Sequence, residues 1–255
     1  MVNPGDGRAP YLQVAETLRA EIESGRLGAG DRLPSTREIS ERFGVTGATA
    51  QRAVTVLKTE GLVESATGRG VFVRAPRRWR AVSSRYLQAP AVGEPDPWTA
   101  QAAGAGRDGS QEIRLVAEIE APGEVAGCLE LPDGEPVVVR RRVLFLDGDP
   151  VELVDTYYPA SLARGTRLAQ AAKIPRGAPA LLAELGYPAR RASEVVYTRM
   201  PTPDERRDLR LGPGIPVFRI VRTVRSDADR PVQVDVLVMA GDRNRLEYDL
   251  PIPRP

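Results

Sequence analysis

The residues able to do chemistry in this chain are arginines, carboxylates and hydroxyls, because it has no histidine and one cysteine, Cys128. Without histidine, Ser-His-Asp and Cys-His nucleophilic systems and histidine-ligated metal sites fall away together. Cys128 lies in an apolar helical pattern and reads as a small buried hydrophobe; alone it cannot close an intrachain disulfide, which fits a reducing cytoplasm. No cofactor is called for. What remains is recognition chemistry, and its densest arrangement is residues 33–52, LPSTREISERFGVTGATAQR. Ser35 and Glu38 have the S-x-x-E spacing of a capping box, so a helix should begin at Thr36 with Ile39 and Phe43 as its buried stripe. Gly44 ends it. Thr46 stands where the next helix needs an N-cap, and Ala50, Ala53, Val54 and Leu57 recur at the spacing of one buried face. The outer face offers Ala48, Gln51, Arg52 and Thr55. Two short helices meeting at a tight turn, the second presenting small and polar residues and then Gln and Arg, form a helix-turn-helix pattern suited to the major groove of double-stranded DNA.

Other elements must hold these helices. Val14, Leu18 and Ile22 repeat every fourth position before Gly25, which gives a supporting helix over residues 11–24. Residues 26–34 form a loop with room for a very short strand. After the second helix, GLVESATGRGVFVRA reads as strand, Gly-flanked turn and strand, with Val71 and Val73 alternating against Phe72 and Arg74. The tip of this wing, Thr67-Gly68-Arg69-Gly70, carries a cation toward the minor groove or backbone, if Arg69 is not merely solvated.

Residues 75–110 are rich in Pro, Gly and Ala and read as a linker with a loosely structured approach to a second domain. Arg77, Arg78 and Arg80 there either add phosphate contacts or form a solvated basic linker. The domain expectation is a DNA-binding unit over 1–75, a linker over 76–84 and a second domain over 85–255. The net charge of +2 is too small to identify a nucleic-acid binder by itself. Residues 1–75 carry ten Lys+Arg against nine Asp+Glu, and 76–110 carry five against three, so any cations on phosphate are few and deliberately placed. No apolar run reaches the length of a membrane span, and MVNPGDGRAP lacks the apolar core of a signal peptide. A soluble, cytoplasmic protein is expected.

The second half contains an internal repeat. LELPDGEPVVVRRRVLFLDGDPVELV from Leu129 aligns with LRLGPGIPVFRIVRTVRSDADRPVQVD from Leu209, with one extra residue in the second turn. Each copy has a short helix, a strand carrying Arg142 or Arg222, an Asp-containing turn and a returning strand, and each helix follows a further strand. Two β-α-β-β units predict an α+β domain on one antiparallel sheet of about six strands, with helices covering one face. Along residues 137–146, alternation places Arg140, Arg142 and Leu144 on one face and Val139, Arg141 and Val143 on the other.

Residues 11–74 resemble the winged-helix domain of GntR-family transcription regulators, through Y-x-Q-V-A-x-x-L-R, G-x-L-x-x-G-x-x-L-P-S-x-R, F-G-V-T, E-G-L-V and G-R-G-x-F-V. The resemblance implies DNA contacts from Arg37, Thr46 and Thr49, from Ser35 and Thr36 at the first helix start, from Gln51 and Arg52 on the recognition helix, and from Arg69 on the wing. Many relatives carry Arg where this chain has Gly47 and Gln51, so their operators cannot be borrowed. Gln suits adenine and Arg guanine, which leaves open whether Arg52 replaces the missing contact.

The second half resembles the UTRA domain, the chorismate-lyase-like effector-binding module of one GntR branch. The carrying residues are Arg85-Tyr86, D-G-D-P-V leading to Tyr157-Tyr158-Pro159, R-M-P-T-P-x-E over 199–205, and Gly241-Asp242-Arg243. The resemblance implies a small-molecule effector, often anionic, held through Arg142, with Arg140, Asp155, Tyr157 and Glu194 as further candidates. It also implies a homodimer on a two-fold operator. A second Arg common in relatives is Leu144 here. Two structural readings stay open beside this one: Arg142 paired with a carboxylate such as Glu194 or Asp155, and Tyr157 as core. Two other functions compete: a lyase active in the second domain, and a ligand-free DNA-binding partner of a plasmid or replication complex.

Overall fold

The computed structural model describes residues 5–66, 68–74, 79–82, 87, 89–91, 93–227 and 229–248. Thr67, Arg77, Arg78 and the pair Arg85-Tyr86 lie outside them. The chain divides into two compact units, one of residues 1–78 with 211–216 and the other of residues 79–210 and 217–255.

The first unit is built where the caps dictate. α1 spans Pro10–Glu23, α2 Thr36–Phe43 and α3 Gly47–Thr59. α2 starts at the residue that the capping box requires: the Ser35 hydroxyl accepts from the Glu38 amide, and Glu38 accepts from the Ser35 amide at 2.7 Å. Such a cap is worth about 0.5–2 kcal/mol. Gly44 closes α2 in the left-handed region at φ 67, where a side chain would be strained. Val14, Leu18, Ile39, Phe43, Ala50, Ala53, Val54 and Leu57 form one core. β1 (Val63–Ala66) and β2 (Gly70–Val73) are the antiparallel wing, and the room left for a short strand in the preceding loop is used by one bridge, Arg32 to Phe72.

The second unit opens with β3 (Trp79–Val82) and α4 (Pro97–Gly104), both inside the stretch expected to be loosely structured. Asp96 caps α4, accepting from the Thr99 amide, and Trp98 packs edge-on to Trp79 with ring centroids 5.4 Å apart. The short helix and strand lack a long periodic signal but bury two indoles, so tertiary packing supplies what local sequence does not. The chain continues through β4 (Gly109–Glu120), α5 (Gly123–Leu129), β5 (Pro136–Leu146), β6 (Asp149–Pro159), α6 (Ala160–Ala163), a 3-10 turn at Arg167–Ala169 and α7 (Gly177–Glu184). β7 (Arg191–Arg199), α8 (Pro203–Asp208), β8 (Val217–Arg225), β9 (Pro231–Ala240) and β10 (Asn244–Glu247) complete it.

Six strands form one antiparallel sheet in the order β4-β5-β6-β9-β8-β7, and β10 pairs in parallel with β3. This order mirrors the repeat: β4-α5-β5-β6 and β7-α8-β8-β9 lie on either side of the β6/β9 seam, with like strands equally far from it. The β5-β6 hairpin turns through Asp147 and Gly148, both at positive φ (52 and 81), as a two-residue type I′ turn requires. The expectation of helices on one face is corrected. α4, α6 and α7 bury residues against one face, whereas α5 packs Val125, Ala126 and Leu129 with Val137, Val139, Tyr157 and Val234 on the other. Central strands buried on both sides leave neither face polar enough to stand uncovered.

Candidate functional site

In the first unit, the outward surfaces of α2 and α3 carry the sequence-predicted residues. Arg37 is 88% exposed and, among the described residues, makes only an i,i+4 pair with Glu41 at 2.8 Å. A pair so open contributes a few tenths of a kcal/mol, roughly 0.3–0.5, and does not hold the guanidinium back. Ser35 is engaged in the α2 cap. Thr46 caps α3, accepting from the Thr49 amide at 3.2 Å with its hydroxyl 2.9 Å from that of Thr49. These hydroxyls fix two helix N-termini whose first amides, beginning at Thr36 and Gly47, favour anions. Gln51 is exposed and Arg69 projects from the wing turn. Arg52 lies over the Tyr11 ring with its guanidinium carbon 4.1 Å from the centroid, a contact worth about 0.5–1 kcal/mol that ties α3 to α1.

In the second unit, a cavity of about 90 Å³ opens on the face covered by α4 and α7. At roughly 10–15 Å³ per water by this measure, it holds several waters or a compact organic group. Leu87, Trp98, Leu144, Val154 and Leu237 give it apolar walls, and Arg142, Glu152, Arg222 and Asp235 supply charge. Strand register explains the juxtaposition. Arg142 faces Val154 across β5-β6, Leu144 faces Glu152, and one polar row runs Arg140, Thr156, Asp235, Arg222, Glu194 from β5 to β7.

Arg142 donates from Nη2 to Thr156 Oγ1 at 2.9 Å and from Nη1 to Gln111 Oε1 at 3.3 Å, and its buried Nε has no partner among the described residues. Its hydrogen bonds therefore go to neutral oxygens. The two carboxylates weighed as its partners are engaged elsewhere: Glu194 receives Arg222 Nε at 2.5 Å and the Tyr248 hydroxyl at 2.9 Å, and Asp155 lies 3.2 Å from Arg141. Arg222 also approaches Asp235 at 3.6 Å, and Gln233 donates to both Asp235 oxygens at 2.9 Å. Glu152 is 1% exposed, and its Oε2 has no hydrogen-bond partner among the described residues. Burial pushes its carboxyl up to about 7, against the pull of Arg222 and Arg142 and with the help of Asp235 and Glu194.

Of the five expected effector residues, Arg142 lines the cavity and four do not. Arg140 shares the cavity's face but is consumed by the backbone: Nη1 donates to the carbonyls of Leu168 (2.9 Å) and Gln170 (2.6 Å), and Nη2 to Ala172 (2.7 Å). Asp155 and Tyr157 are odd-numbered on β6 and point to the opposite face, where the Tyr157 hydroxyl donates to Asp155 at 3.3 Å beside Arg141. Glu194 does not line the cavity but stands behind Arg222. Sequence reasoning missed Glu152, Arg222, Gln233 and Asp235. The repeat held the signal, since Arg222 and Gln233 are the second-copy counterparts of Arg142 and Glu152. In the linker, Arg80 pairs with Glu247.

The motifs that carried the resemblance are largely clamps. Arg199 grips Glu205 through two 2.6 Å bonds while Glu205 completes the capping box that starts α8. Arg243 donates to the Pro150 and Arg210 carbonyls at 2.9 and 3.0 Å.

A winged helix-turn-helix joined to a ligand-sized cavity on a pseudo-symmetric antiparallel sheet defines a class, and the comparisons with known proteins name it. Residues 10–73 match the bacterial regulatory proteins of the gntR family and residues 104–245 match the UTRA domain. The chain belongs to the GntR family of transcriptional regulators, in the branch with a UTRA domain. It is 30% identical to an uncharacterized HTH-type transcriptional regulator of Streptomyces coelicolor, over 96% of this chain and 94% of the relative. It is 28% identical to the histidine utilization repressor of Pseudomonas putida, over 95% and 93%. A crystal structure of a GntR-family transcriptional regulator superposes with a TM-score of 0.67 at 30% identity, covering 95% of this chain and 98% of that one. PhnF from Mycobacterium smegmatis, 24% identical over 94% of this chain and 100% of its own, shares the fold with a TM-score of 0.59. No helix among the described residues is long and apolar enough to cross a membrane.

Proposed function

We infer that this regulator is a repressor that binds a two-fold double-stranded operator as a homodimer and changes its operator affinity when a small molecule occupies the cavity over β5, β6, β8 and β9. The observation that carries this is Arg142: a guanidinium at a ligand-sized cavity, hydrogen-bonded among the described residues only to neutral oxygens, with a buried Nε that none of them engages and that suits an anionic group. Thr36, Arg37, Thr49, Gln51 and Arg69 are the proposed DNA contacts, with Ser35 and Thr46 presenting helix N-termini to phosphates. The Pseudomonas putida relative is named a repressor, which supports that sign of control. Whole-chain relatives are transcriptional regulators, so a recognition role is favoured over turnover and over a ligand-free replication partner.

A ligand shifts an equilibrium only through different affinities for its two states, so removing its anchor should silence the response without abolishing DNA binding. A thermal-shift screen of metabolites, followed by gel shift with and without the hit, tests this. Arg142→Ala should bind operator in the absence of the hit as the parent does and ignore the hit. An Arg142→Ala protein that responds at the parent's concentration puts the controlling site elsewhere.

A further inference from the structure

Two complementary groups face the same cavity without meeting. Arg142 brings a positive charge supported only by Thr156 and Gln111, and the nearly fully buried Glu152 brings a carboxyl whose Oε2 has no partner among the described residues. No ion pair joins them, and the cross-strand neighbour of Glu152 on β5 is apolar Leu144. An unpartnered buried carboxyl is costly, and natural interiors keep such groups only where something else completes them. The other charges are already matched: Arg222 sits between Glu194 and Asp235, Gln233 covers Asp235, and Asp96 holds Lys173 at 2.8 Å. The cavity therefore asks for one acceptor at Arg142 and one donor at Glu152, across walls of Trp98, Leu144, Val154 and Leu237.

Resting on the effector reading above, we propose that the ligand is a compact amino carboxylate, its carboxylate bound by Arg142 and its protonated nitrogen by Glu152. A phosphate dianion suits this cavity poorly, because the second arginine in its lining, Arg222, is already paired with Glu194 and Asp235, and the strand opposite Arg142 presents the acid Glu152. The charged groups around Glu152 come from four strands: Arg142 on β5, Arg222 on β8, Asp235 on β9 and Glu194 on β7. With its carboxyl titrating near 7, Glu152 is mostly neutral at pH 6 and mostly ionised at pH 8. An ammonium that requires the ionised form binds about tenfold more tightly at pH 8 than at pH 6.

The test uses the full-length protein, thermal shift and titration calorimetry. The probes are amino carboxylates spanning about two to six carbons, each beside its amine-free carboxylate and its carboxylate-free amine, with inorganic phosphate added. At least one amino carboxylate should bind tenfold or more tightly than both of its twins and tighten with pH as above. Glu152→Gln, nearly isosteric and checked for folding by its melt, should lose the preference over the amine-free twin and the pH dependence; Arg142→Met should lose both carboxylate-bearing probes. Equal binding of the amine-free twin or of phosphate overturns the amino-carboxylate assignment while leaving effector control standing. Absence of binding by every probe also overturns it, and a metabolite outside this class that releases operator would then show that the effector reading survives alone. If no metabolite binds the folded protein, both fail.

Discussion

Arg140 and Arg142 differ by one turn of strand alternation and share a face, yet they should behave oppositely when truncated. Arg140 is 4% exposed and donates to three carbonyls within 2.9 Å, those of Leu168, Gln170 and Ala172, with a fourth, Arg167, at 3.4 Å. Arg140→Met keeps the apolar stem and removes every donor. Leu168 is fully buried, so its carbonyl loses a partner that water cannot easily replace, at about 1–3 kcal/mol. Gln170 and Ala172 are exposed residues, and partial rehydration limits their loss to roughly 0.5–1.5 kcal/mol each. Relief of the buried guanidinium offsets part of this, since burial already lowers its proton affinity. The net expectation is a destabilisation of about 3 kcal/mol, close to the cost of breaking a buried polar cluster. Arg142→Met removes two bonds to neutral oxygens and an uncompensated charge, and should change stability by less than about 1 kcal/mol in either direction. Urea unfolding of the second unit's transition, followed by fluorescence of Trp79 and Trp98, measures both. Equal losses, or a larger loss at Arg142, would refute the division into one structural and one ligand-facing arginine.

Glu152→Gln should stabilise the protein in the absence of ligand. The folded carboxyl titrates near 7 against an ordinary value of 4.5, so between these pH values the folded state holds more protons than the unfolded one and parent stability falls as pH rises; the loss is about 3 kcal/mol by pH 8. Urea midpoints at pH 5 and pH 8 should converge in the variant, and a parent with no such fall contradicts the buried-acid assignment. Arg37→Ala should weaken operator binding by about 1–3 kcal/mol while leaving the melt nearly unchanged, because the exposed pair with Glu41 contributes little; unchanged affinity in a gel shift removes Arg37 from the interface. Gln51→Arg should alter which sites are selected from random DNA rather than weaken binding uniformly, and identical selected motifs would exclude Gln51 as a base reader.

The DNA-binding half was legible because its signals are local. The capping box at Ser35 and Glu38, the Thr46 cap, Gly44 and the three- and four-residue spacings each act within one helical turn, so α2 and α3 begin where those residues require. The six-stranded sheet was legible through the repeat, since two copies of a three-stranded unit together supply six strands, while the joining of the copies at β6 and β9 was decided by the fold. Alternation likewise assigned Arg140, Arg142 and Leu144 to one face. It could have removed Asp155 and Tyr157 too, whose register opposite Arg141 and Val139 puts them on the far side.

Tertiary structure decided what shares a face without sharing a neighbourhood in sequence. Strand order brings Glu152, Arg222 and Asp235 to Arg142, and the carbonyls of residues 168–172 take up Arg140, because hydrogen-bond partners of a buried guanidinium are set by which loop happens to cross above it. α4 has a local start signal in the Asp96 cap, but its packing rests on Trp98 meeting Trp79, a contact that no periodicity announces. The sequence by itself thus determined the elements that carry local caps, turns or repeat spacing, and the faces of the repeated strands, because these are fixed by covalent spacing; β3, the packing of α4, the cavity and its unmatched acid and base arise only when non-local segments exclude water together.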